Sequence, residues 1–141
     1  MCHSAEAKAW AATPHAKALA NLKAADEKKA AEMAAKLKIE LKGNPASNDA
    51  CVTCHVTGFQ LAGGYPAADS TKTAAVAMVE CEACHGPGSL HVTAAMADKK
   101  KLINRGVTAN LCTQCHTSDT SPAFKFEEYS QKVHPVPKKT G

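Results

Sequence analysis

The sequence predicts a mainly helical chain with much irregular backbone, few or no strands, and a core supplied by something other than its own side chains. Residues 4–41 are dominated by Ala, Lys and Glu, all strong helix formers, and no segment reads as a strong strand. Aromatic residues are only 4% of the 141: three Phe, two Tyr and one Trp. Cores of chains this size are normally built from large apolar side chains, which bury the most area. The 45% hydrophobic content here is largely alanine. A single domain over residues 1–141 is expected.

In chain order, Pro14 interrupts the first helix-forming stretch, and Thr13-Pro14 reads as an N-cap followed by the first helical residue. The helix it starts runs to about residue 23 and carries His15 in its first turn. Asp26 caps a second helix to roughly residue 41, with Met33, Leu37 and Leu41 on one core-facing stripe. Gly43-Asn44-Pro45 ends it. Residues 48–55 lead into Cys51-Val52-Thr53-Cys54-His55, and residues 58–66, rich in glycine, form a loop. Residues 67–80 are ambiguous between loop and short strand. Cys81-Glu82-Ala83-Cys84-His85 is expected as a single helical turn, stopped sharply by Gly86-Pro87-Gly88, with His91 just beyond. Residues 92–101 read as a helix whose last turn carries Lys99-Lys100-Lys101, where cations suit the dipole. That run is a solvated face or, alternatively, a docking patch for an acidic partner. Cys112-Thr113-Gln114-Cys115-His116 follows, then a loop over 117–122. An amphipathic helix over 124–133 puts Phe126, Tyr129 and Val133 on one face and delivers His134. Pro135 and Pro137 end regular structure ahead of a basic tail.

The three Cys-x-x-Cys-His motifs decide the chemistry. This pattern attaches c-type haem: the two cysteines add to the vinyl groups and the adjacent histidine supplies an axial ligand. The two-residue spacer matches the vinyl separation, and the histidine must follow at once because the ring then lies over it. A four-cysteine zinc site needs no histidine directly after each pair. A disulfide framework would likewise leave the three adjacent histidines without a reason. Covalent haem also accounts for the missing apolar bulk.

The cysteine count is seven, so one is left after three pairs. The chain opens Met1-Cys2-His3, which is what remains when a fourth motif is cut after its second residue. Four haems are then expected, one held by Cys2 alone, and the N-terminus is expected to lie inside that first motif. The attachment residues are Cys2, Cys51, Cys54, Cys81, Cys84, Cys112 and Cys115, with His3, His55, His85 and His116 as motif ligands. Of the seven histidines, His15, His91 and His134 remain. Each sits in a positioned context, at a helix start, past a sharp turn and at a helix end, and all are read as distal ligands. One haem is therefore left without a distal histidine. Met33, Met78 and Met96 have no motif-like setting.

The formal charge of +4 belongs to the bare chain, and about two ionised propionates per haem offset it. It is thus no argument for a nucleic-acid partner, and no nucleic-acid motif appears. The longest apolar runs are far too short to span a bilayer. Haem is attached to such motifs outside the cytoplasmic membrane, so a periplasmic or extracellular location is expected.

Cys2-His3, Trp10, Thr13 and His15-Ala16-Lys17-Ala18 resemble the opening of cytochrome c-554, the tetrahaem electron-carrier family of ammonia-oxidising bacteria. The resemblance continues through Cys51–Phe59, Gly63-Gly64-Tyr65, Cys81–Gly88 and Phe124-Lys125-Phe126-Glu127-Glu128. It implies three bis-histidine haems and one five-coordinate haem, the open one on His55. It implies that His91 reaches back to the haem on His3. His15 and His134 would serve the haems on His85 and His116, in an order the resemblance leaves open. The chain is shorter than the family type, mostly between His91 and its last motif and after His134.

The expected function is electron carriage between redox partner proteins through closely packed haems, with no catalytic residue assigned. One alternative is a reductase for nitric oxide, nitrite or hydroxylamine at the open iron on His55. For that the 58–66 loop offers neither histidine nor arginine as proton donor. The other alternative is a homo-oligomer, as the subunit of an extracellular haem filament conducting electrons.

Overall fold

A computed structural model describes residues 3–134, and among them short α-helices and 3-10 turns are joined by irregular backbone with no strand. This is the mainly helical, loop-rich architecture that the composition predicts. Helix α1 (Ser4–Ala11) leads into a 3-10 turn, Pro14–Lys17, then α2 (Ala18–Lys23) and α3 (Glu27–Lys36). Thr13 stands at the cap position before Pro14, but its hydroxyl turns back and donates to the Trp10 carbonyl at 2.7 Å. It closes α1 instead of capping the next turn.

Asp26 caps α3, its carboxylate accepting from the Lys29 N–H at 3.0 Å. The helix stops at Lys36, short of the expected residue 41. Lys38 adopts φ +56°, its N–H donates to the Ala35 carbonyl at 3.2 Å, and the Ile39 N–H reaches the Ala34 carbonyl at 2.8 Å. This is a Schellman closure with lysine in the place glycine usually takes. Met33 is exposed and Leu41 lies beyond the helix, so the expected stripe is broken.

The ambiguous 67–80 segment contains α5 (Ser70–Val76), capped by Asp69, which accepts from the Thr71 N–H at 3.0 Å and its hydroxyl at 2.6 Å. The expected helix over 92–101 is replaced by α7 (Ser89–Thr93) and a 3-10 turn, Lys99–Lys101. The Lys99 ammonium donates to the His91 and Val92 carbonyls at 2.8 Å each, satisfying the C-terminus of α7 from a distance. The motifs fall on α4 (Asp49–Val52), α6 (Cys81–His85) and α8 (Ala109–Cys112), and α9 (Phe126–Val133) closes the described chain.

Among the described residues, the buried hydrophobic positions are Ala18, Leu19, Ala34, Val52, Val56 and Val76. Leu19, Val52 and Val56 form one cluster, covered by Leu22, Ala46, Phe59, Tyr65 and Ala77. A large aliphatic side chain fully buried contributes about 1.5–3 kcal/mol, against about 1–2 kcal/mol of backbone entropy for every residue ordered. A core this small, gathered around the Cys51–His55 motif, does not hold the rest of the chain.

Polar braces connect what the core does not reach. The buried Thr57 hydroxyl donates to the Met78 carbonyl at 2.7 Å and accepts from the Glu80 N–H at 3.0 Å. Its backbone pairs with Val76 and Tyr65 at 3.0 Å each. The 58–66 loop folds back tightly, so that a Cβ on Gly64 would meet the Gly58 carbonyl. These contacts tie the chain leaving one motif to the chain entering the next.

Candidate haem-binding site

Each motif is a helical turn, which puts cysteines three residues apart on one face with the histidine one step further. The His116 N–H bonds the Cys112 carbonyl at 2.9 Å, and the His55 N–H bonds the Val52 carbonyl at 2.8 Å. After His85 the chain leaves through Gly86 at φ +77°, a left-handed position suited to glycine. The Gly88 N–H then donates to the Glu82 carboxylate at 2.7 Å. None of the six described cysteines is in a disulfide. Burial pushes the thiols of Cys51, Cys81, Cys84 and Cys112 up. Cys54 lies beside Cys115 and is drawn down to about 7 by that neighbour, while Cys115 is pushed up by Cys54. Cys84 also feels Cys112, so the three motifs converge. No cluster of metal-holding side chains occurs among the described residues. Cys2 lies outside them.

Six of the seven histidines stand in pairs. The ring centroids of His3 and His91 are 6.1 Å apart, those of His15 and His116 5.9 Å, and those of His85 and His134 6.1 Å. Each pair joins a motif histidine to one that lies outside any motif. The pairing gives an order the sequence left open: His15 with His116, and His134 with His85. His55 has no histidine opposite it among the described residues.

These spacings suit one iron between two imidazoles. A metal–nitrogen bond of about 2.0 Å, and about 1.1 Å from nitrogen to ring centre, place such centroids about 6.2 Å apart. The outer nitrogens support the same arrangement. His55 Nδ1 lies 2.9 Å from the Ala18 carbonyl, His85 Nδ1 2.7 Å from the Asn104 carbonyl, and His91 Nδ1 2.9 Å from the Lys99 carbonyl. A carbonyl only accepts, so each Nδ1 carries the proton and each Nε2 has a free lone pair for a metal. His116 Nδ1 meets the Ser121 hydroxyl at 2.9 Å, and Phe124 stacks on the same ring at 4.8 Å. His134 Nδ1 is buried without a partner among the described residues. Burial lowers both His15 and His116, with the neighbouring His116 a second cause for His15, which favours the neutral imidazole in each.

The sequence does not mark Ala18, Asn104, Lys99 or Ser121 as partners of the histidine rings. Three of them act through a backbone carbonyl, which any residue possesses. Asn104 does more: its N–H donates to the His85 carbonyl at 2.9 Å and its amide to the Cys84 carbonyl at 3.3 Å, so one residue closes the second motif.

Clustered attachment motifs, paired imidazoles and a helical shell with almost no side-chain core define a multihaem c-type cytochrome. A family model described as cytochrome c554 and c-prime matches residues 1–86. Cytochrome c-554 of Nitrosomonas europaea is 41% identical, over 94% of this chain and 69% of that protein. The reduced-state structure of cytochrome c554 from Nitrosomonas europaea aligns with a TM-score of 0.65 at 27% identity, covering 96% of this chain and 79% of that one. The chain belongs to the cytochrome c554 family, and with that membership comes covalently bound haem c. No helix among the described residues is long and apolar enough to cross a membrane.

Proposed function

We propose that this protein carries electrons between redox partner proteins outside the cytoplasmic membrane, in the periplasm or beyond it, through four haems. The observation that carries this reading is the set of three imidazole pairs at 5.9–6.1 Å. Bound haem supplies reversible one-electron chemistry at its iron. The chain's part is to attach and hold. Cys51 and Cys54, Cys81 and Cys84, and Cys112 and Cys115 anchor three haems, and Cys2 a fourth. His3 with His91, His116 with His15, and His85 with His134 would hold three of the irons, two imidazoles to each. Closed irons have no site for substrate, which suits transfer over bond making. The contact between Cys54 and Cys115 supports close packing of two of the groups.

His55 stands alone, and one observation therefore favours a second reading, reduction of nitric oxide, nitrite or hydroxylamine at its haem. Against it, neither histidine nor arginine is present in the adjoining 58–66 loop to deliver protons.

The mass of the holoprotein tests the first reading: chain plus four haems is expected, and chain plus three removes Cys2 from the attachment set. Electron paramagnetic resonance of the oxidised protein should show about one quarter of the iron high-spin, the His55 fraction. Nitric oxide should perturb that fraction alone. If every haem is low-spin, His55 has a partner and the reductase reading fails. Steady turnover of nitrite or hydroxylamine with a reductant would instead favour it over carriage.

A further inference from the structure

We infer that Ser121 sets the reduction potential of the haem on His116, as a positioning residue acting through the imidazole, and holds it above that of the haem on His85. This rests on the ligand reading just given. The three motif histidines with a described Nδ1 partner are not equivalent. His55 and His85 face backbone carbonyls, of Ala18 and Asn104, whereas His116 faces a side-chain hydroxyl. If Nε2 of His116 is a ligand, Nδ1 must carry the proton, so the ring donates and the Ser121 oxygen accepts.

A strong acceptor at Nδ1 gives an imidazole more imidazolate character and makes it a better donor to oxidised iron, which lowers the potential. A hydroxyl oxygen is a weaker acceptor than an amide carbonyl. It also sits farther from its ring, 2.9 Å against the 2.7 Å of Asn104 on His85. Both differences favour the reduced form of the haem on His116 relative to that on His85.

The ring itself is held by other contacts. Phe124 stacks on it at 4.8 Å and 13°, and Tyr129 meets its edge at 6.5 Å. The loop carrying Ser121 is closed independently: the Thr120 hydroxyl donates to the Cys115 carbonyl, and the Thr117 N–H to the Thr120 hydroxyl at 2.9 Å. Changing Ser121 therefore alters the acceptor while leaving the ring seated. Because Cys115 lies against Cys54, the position Ser121 controls borders the solitary His55.

The test uses the haem-loaded protein, its haem methyl resonances followed by nuclear magnetic resonance through a redox titration. His15→Ala comes first. It should turn one low-spin haem high-spin, which labels the haem on His116; no new high-spin haem would overturn the ligand reading itself. In Ser121→Asn an uncharged amide oxygen replaces the hydroxyl. The reduction equilibrium of the labelled haem should fall severalfold, and in Ser121→Asp by tenfold or more, 59 mV for one electron. Ser121→Ala, which removes the acceptor, should raise it, with haem content intact in all three. The inference is overturned if Ser121→Asn leaves the labelled haem unmoved, or if every haem shifts alike.

Discussion

The Trp10 indole donates a hydrogen bond to the Val79 carbonyl at 2.9 Å, across 69 residues of chain. Val79 returns the connection, its N–H donating to the His15 carbonyl at 3.1 Å. One short segment thus fixes α1 and the backbone of His15 together, two residues ahead of the Cys81–His85 motif. In a protein with so small a side-chain core, such polar links bear much of the tertiary order. Trp10→Phe keeps an aromatic ring, though a smaller one, and removes the donor, leaving the Val79 carbonyl unsatisfied. The expected cost is about 1–3 kcal/mol, read as a lower melting temperature with haem content unchanged. An unchanged melt would mean that water replaces the indole without loss.

The histidine pairs make a more selective prediction. His91→Ala, His15→Ala and His134→Ala should each add one high-spin haem to the oxidised spectrum, and any two together should add two. His134 is expected to be displaced by added imidazole more readily than His91, because its Nδ1 is buried without a partner among the described residues, whereas His91 is held by Lys99. If His91 exchanges first in an imidazole titration, the Nδ1 contact is not what secures these ligands.

Much of this site is legible in the sequence and some of it is not, for definite reasons. Attachment chemistry is local: three cysteine pairs, each followed by a histidine, need no tertiary information to recognise. The fold class is legible because residues 4–41 favour helix and large apolar residues are scarce. Pairing is different. Which of His15 and His134 lies opposite His85 depends on how loops pass one another, through contacts such as Trp10 to Val79 that no local pattern encodes. The Nδ1 acceptors Ala18, Lys99 and Asn104 act through carbonyls and leave no compositional mark. Asp69-Ser70-Thr71 did carry a cap signal for α5, yet the apolar run 74–79 competes with it by reading equally well as strand.

Glu80 gives the pH prediction. Burial, and then the neighbouring Glu82, raise its carboxyl above the ordinary value of 4.5. Between that value and the raised one, the folded protein binds more protons at Glu80 than the unfolded chain does. Stability from this group is therefore present below about pH 4.5 and is lost as pH rises through the folded value. Glu80→Gln removes both the like-charge repulsion and the cost of burying an ion. It should raise the melting temperature at pH 7 and change it little at pH 4. Equal gains at both pH values would assign the effect to packing and not to charge.

The end of α3 is the sharpest departure of the fold from helix propensity, and it can be tested with glycine. Residues 37–41 are reasonable helix formers, yet Lys38 turns left-handed at φ +56° and the chain leaves. A left-handed residue with a Cβ costs about 1–2 kcal/mol relative to its right-handed form. Glycine escapes that strain but gives up about 0.4–1 kcal/mol to a more flexible unfolded chain. Lys38→Gly should therefore stabilise the protein by about 0.5–1 kcal/mol, the difference between those effects. Ala35→Gly, three residues earlier within α3, should destabilise it by up to about 1 kcal/mol, because there glycine only loses helix propensity. Opposite signs from the same residue, read as shifts in denaturant midpoint at constant slope, are the signature of a Schellman closure. A continuous helix to residue 41 would make both substitutions destabilising.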